Sequence, residues 1–221
     1  MFNLLKKDVR YLFTSPNSIQ YVGLRGNLKL ILYYYFISIL FILSSSVFFG
    51  ILKHFFINQP HIVIPKNITF LKVAIVAPIM EEILFRLVIR VNKSNIILFV
   101  VFLIVSLLYE TYILTTTAYY IFIGGFSLFL ISKKFNHKIN SSFEKNNSLP
   151  FLIYFSCLLF GLFHLSNFKD IDITNITVIT YLISKILDGF VFILLRLKFG
   201  IIASILLHIF INSLAYILIS Y

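Results

Sequence analysis

A single cysteine, Cys157, and only eight acidic residues among 221 set the first limits on this chain. One thiol excludes an internal disulfide framework and any zinc site built on several thiolates. Inside the apolar run 149–163 it reads as a small hydrophobe, not a nucleophile. Charge of either sign is scarce: 12% of residues are charged, 60% are hydrophobic, and the mean hydropathy is +0.98. That composition excludes an ordinary soluble domain and describes an integral membrane protein. Several catalytic patterns are also missing. There is no His-Glu-x-x-His motif of a helical zinc protease. Gly125-Phe-Ser127 lacks the second glycine of a nucleophile elbow. Asp188 has no second aspartate in a comparable helix for an aspartic dyad, and reads as the partner of Lys185 on the same helix face. No internal repeat of the transporter kind is found, and no cleavable signal peptide precedes the first apolar run.

What the chain does have is basic charge and long apolar segments. The net charge is +11, but lysine and arginine cluster at the ends of apolar runs, where anionic headgroups and membrane topology explain them and nucleic acid does not. Spanning helices need about 20 apolar residues. The hydropathy pattern predicts an all-α polytopic bundle of about seven spans, with six to eight as the range, near 30–52, 68–90, 95–113, 115–132, 149–167, 173–196 and 199–219. Residues 1–29 form an amino-terminal, interfacial segment with Lys6, Lys7, Arg10, Arg25 and Lys29, and residues 30–221 form one transmembrane domain with its core at 68–219. Basic residues favour the segments on the amino-terminal side, including Arg196 and Lys198 between the last two spans, so the amino terminus is expected inside.

Against this apolar background the polar residues of the spans stand out. Glu81 and Glu82 are adjacent within 68–90, and Arg86 follows the second by four. Each such charge costs roughly 2.5–3.5 kcal/mol at mid-bilayer depth, so these residues are expected to face a protein interior and pair. At about 100° per residue, Glu82 and Arg86 share a face and Glu81 points elsewhere. Glu82 is then the structural partner, and Glu81 is free to act as a general base on water. His164 closes the run that begins at Phe160, and His208 and Asn212 lie four apart on the last span. Each alone reads as interhelical glue. Together, on three apolar helices, they call for a common polar cavity. There Glu81 and His164 would activate a water, and His208 and Asn212 would bind the oxyanion of an attacked peptide carbonyl. A divalent metal such as zinc, held by Glu81, His164 and His208, would serve the same end, and the residues alone do not choose between the two.

Glu81-Glu82-Ile-Leu-Phe-Arg86, Phe160-Gly-Leu-Phe-His164 and His208-Ile-Phe-Ile-Asn212 resemble, in order and spacing, the three motifs of the CPBP family. That family comprises the type II CAAX prenyl endopeptidases and the bacteriocin-processing and self-immunity proteins. The resemblance implies an α-helical intramembrane endopeptidase. Its catalytic residues would be Glu81, His164, His208 and Asn212, supported by Glu82, Arg86 and Phe160, with water activated by glutamate or by metal. The implied partners are membrane lipids and a membrane-associated peptide or protein substrate, with no nucleic acid and no stated oligomeric state. The abundance of Ile, Phe, Asn and Lys points to a bacterial cytoplasmic membrane. The alternative is a non-catalytic immunity or scaffold protein that uses the same polar residues for helix packing.

Overall fold

Asn27 starts the first long helix by accepting the Leu30 amide at 3.1 Å, and Asn175 starts another by accepting that of Thr177 at 2.9 Å. Both are N-caps that satisfy donors a helix start leaves open. The computed structural model describes residues 1–24, 27–55, 69–89, 148–168 and 175–220, and among these every regular element is helical. The helices are α1 (Phe2–Thr14), α2 (Leu28–Phe55), α3 (Ala77–Arg86), α4 (Ser148–Phe163), α5 (Ile176–Phe199) and α6 (Ile201–Ser220). Single 3-10 turns occupy Pro16–Ser18, Leu87–Ile89 and His164–Asn167.

Four of these helices are long and apolar enough to cross a membrane: Leu28–Phe48, Leu149–Asn167, Ile176–Phe199 and Ile201–Leu218. They match the expected spans 30–52, 149–167, 173–196 and 199–219. The expected span 68–90 is helical but not uniform, since a π-helical turn at Leu71–Val76 runs into α3 and then into the 3-10 turn. The expected spans 95–113 and 115–132 lie outside the described residues.

Pro78 gives the π turn a chemical consequence. In the π register the Ala77 amide bonds to the Lys72 carbonyl, so the Val73 carbonyl would be paired with residue 78, which has no N–H. Asn212 of α6 supplies the missing donor, its amide nitrogen 3.1 Å from the Val73 oxygen. Elsewhere close packing rests on small residues. A Cβ at Gly161 of α4 would come within 2.6 Å of Ile186, and one at Gly189 of α5 within 3.3 Å of Cys157, so glycine sets how closely these two helices approach.

The junction of α5 and α6 corrects one expectation. Arg196 and Lys198 do not sit in a solvated loop; α5 continues to Phe199 and both residues are buried. Gly200, with φ of 99°, makes the turn alone. Burying Lys198 is tolerable because α1 brings it a counter-ion: Asp8 Oδ2 lies 2.7 Å from Lys198 Nζ and also accepts the Tyr34 hydroxyl of α2. The Lys198 carbonyl in turn accepts the Val22 amide at 2.8 Å. Removing one partner of such a pair leaves an uncompensated charge, at about 3–5 kcal/mol. Asp8→Asn is therefore expected to lower the thermal midpoint by several degrees and to expose residues 1–24 to protease, although Asp8 touches none of the residues with candidate catalytic roles. A variant as stable as the parent would show that this triad contributes little.

Candidate active site

The four-residue spacing of Glu82 and Arg86 does what helix geometry predicts. Both are buried on one face of α3, with Glu82 Oε1 3.6 Å from Arg86 Nε. Among the described residues the guanidinium finds no hydrogen-bond acceptor. It lies instead over the Phe160 ring, 3.8 Å from the centroid, and nearer to Phe160 than to Phe85 or Phe192. A cation desolvated against an aromatic face gains more than one in water, so Phe160 offsets part of the burial cost. The same ring meets His164 edge-on at 4.5 Å and His208 at 5.9 Å. Phe160 thus stands between three of the polar residues.

Glu82 also organises α6. Its Oε1 is 3.0 Å from His208 Nδ1, and its Oε2 accepts the hydroxyl of Ser204. A carboxylate accepts and does not donate, so His208 carries a proton on Nδ1. The ring is pinned further by stacking on Phe192 at 4.4 Å. Ser204 and Phe192 were not singled out in the sequence. Ser204 had a signal, since Ser204, His208 and Asn212 recur every fourth residue on one helix face. Phe192 had none beyond lying four residues after Asp188.

His164 is fixed in the same sense from a different element. It opens the 3-10 turn after α4, and its Nδ1 is 2.8 Å from the Phe160 carbonyl, again an acceptor only. In the neutral rings both Nε2 atoms therefore present lone pairs. Both face Glu81: Oε2 is 3.8 Å from His164 Nε2 and 3.6 Å from His208 Nε2. These gaps are too long for direct hydrogen bonds. Among the described residues Glu81 Oε2 has no hydrogen-bond partner, although it is buried. Three acceptors therefore converge on one place from α3, the 3-10 turn after α4, and α6. His208 is seven residues into α6, about 10 Å along its axis from the end at which α5 turns into it.

Asn212 is one turn from His208 but is engaged with Val73, which leaves one amide N–H for other use. The Lys185–Asp188 pair forms as the sequence predicted, at 3.0 Å. The donor chemistry of Glu81, His164 and His208, each histidine held by an acceptor at Nδ1, also fits a divalent ion. A tetrahedral site with bonds near 2.0–2.1 Å separates its ligand atoms by about 3.4 Å, a little less than the 3.6 and 3.8 Å found here. Among the described residues no group of three such side chains has the spacing of a metal centre.

A family profile described as "Type II CAAX prenyl endopeptidase Rce1-like" matches residues 64–214. No curated protein and no solved structure gives a significant match.

Proposed function

From the premise that this chain belongs to the Rce1-like type II CAAX prenyl endopeptidase family, a family of proteases, we propose that it hydrolyses a peptide bond of a membrane-associated protein or peptide within the bilayer. The observation that supports this most is the convergence of Glu81, His164 and His208 on one buried carboxylate oxygen. Three acceptors facing each other are unfavourable unless something with positive polarity lies between them, and a water molecule offers two hydrogens.

In this reading Glu81 takes a proton from that water while His164 orients it, and the hydroxide attacks the scissile carbonyl. The developing oxyanion lies on the α6 side, where Asn212 still has one N–H to donate. With a second proton taken up from solvent before substrate binds, the His208 ring donates there from Nε2, and the water is then held by Glu81 and His164. Glu82 at Nδ1 then balances the charge and fixes the ring plane, as the carboxylate of a catalytic triad does. Collapse of the tetrahedral intermediate breaks the C–N bond, and Glu81 returns its proton to the leaving amine. If a divalent ion binds, Glu81, His164 and His208 would hold it and it would polarise the water.

Residues 68–219 make up the protease core, with residues 1–29 an interfacial extension, the amino terminus inside and a bacterial cytoplasmic membrane as the site of action. The experiment is cleavage of membrane-inserted reporter peptides by the reconstituted protein in ¹⁸O-water. Direct attack by water places one ¹⁸O in the new carboxylate in a single turnover, with no intermediate trapped by hydroxylamine, and prior chelation leaves the rate unchanged. A trapped acyl-enzyme would overturn the water mechanism, and loss of activity on chelation with recovery on adding zinc would replace it by the metal form. No cleavage of any membrane peptide would count against the enzyme reading itself.

A further inference from the structure

We infer that α1 is an interfacial helix that binds anionic lipid headgroups and is latched to the transmembrane bundle. At about 100° per residue, its thirteen residues divide into three faces. Leu4, Asp8, Tyr11 and Leu12 form the first, which packs on the core. Phe2, Val9 and Phe13 form the second, and they are 68%, 39% and 45% exposed. Lys6, Arg10 and Lys7 lie on the third, all exposed. A soluble helix has two faces, one apolar and packed and one polar and wet. The additional apolar face, set between the packed face and the cationic one, is what a helix needs when it lies at the edge of a bilayer.

The position of α1 in the bundle supports the same conclusion. Asp8 meets Tyr34 of α2 and Lys198 of α5, and the Phe13 ring meets Tyr154 of α4. Tyr34 and Tyr154 are each six residues inside the start of their helix, about 9 Å along the axis. Lys198 is next to the last residue of α5. Three spanning helices therefore present the same end to α1, which crosses that end near headgroup depth. The only acid of α1, Asp8, is neutralised by Lys198, so the outward charge is purely cationic. Cations at this depth favour an anionic leaflet. The helix lies outside residues 64–214, the stretch that the family profile matches.

The test uses the full-length protein reconstituted in phosphatidylcholine vesicles, with or without phosphatidylglycerol. Each basic residue near an anionic surface strengthens association by about fivefold, and three together by about a hundredfold. Backbone hydrogen exchange across Phe2–Thr14 is expected to slow in the anionic vesicles, to return towards the phosphatidylcholine rate at high salt, and to lose its lipid dependence in a Lys6→Gln, Lys7→Gln, Arg10→Gln variant. Cys157 is fully buried, so an environment-sensitive fluorophore on Phe2→Cys provides a second reading, its emission shifting to the blue in anionic vesicles. Equal exchange in both lipids, or a triple variant that behaves as the parent, overturns the inference. So does slowing that follows protein concentration instead of lipid charge, which would assign the face to a second copy. None of these readings requires protease activity.

Discussion

Glu81→Gln is expected to abolish peptide hydrolysis and leave the bundle standing. The amide has the shape of the carboxylate, so no cavity opens in α3. Nor is a protein hydrogen bond lost, because Glu81 Oε2 has no partner among the described residues and its nearest nitrogens stand 3.6 and 3.8 Å away. What disappears is the ability to accept a proton from water, a function worth about 10²–10⁴-fold in rate. The measurement is cleavage rate beside thermal midpoint for the purified variant. A loss of that size with an unchanged midpoint supports the assignment, whereas a folded variant at full rate would falsify it. The same variant separates the enzyme from the packing alternative, since a protein that only uses its polar residues to hold helices together would keep its cellular phenotype.

The division between the two glutamates was legible because helix periodicity is local. Four residues bring Glu82 to Arg86 whatever else the chain does, and the motif spacing on α6 likewise puts His208 and Asn212 on one face. The partners across helices were less so. That Glu82 meets His208, 126 residues away, follows only from how α3 packs on α6. The engagement of Asn212 with Val73 depends on a π turn that periodicity does not announce, although Pro78 marks where a carbonyl will lack its donor. Lys198 was misread for a related reason. A lysine at the end of an apolar run normally reaches water, and only the docking of α1 turns it into the buried partner of Asp8.

Glu82→Gln should have the opposite signature to Glu81→Gln: a large loss of stability first, and of activity as its consequence. Glu82 is fully buried and serves three partners, Arg86, His208 and Ser204. An amide in its place leaves the Arg86 charge against aromatic rings, Phe160 the nearest, with no paired carboxylate among the described residues, a change worth about 3–5 kcal/mol. It also frees His208 Nδ1, so the tautomer that turns Nε2 towards Glu81 is no longer imposed. Adding Arg86→Met tests the cause. Replacing a whole buried ion pair by apolar side chains is often close to neutral, so the double variant is expected to regain most of the thermal midpoint in detergent. It should not regain the rate, because His208 still lacks its orienting carboxylate. Recovery of both together would mean that Glu82 acts only through Arg86; recovery of neither would mean that its bonds to α6 carry the stability.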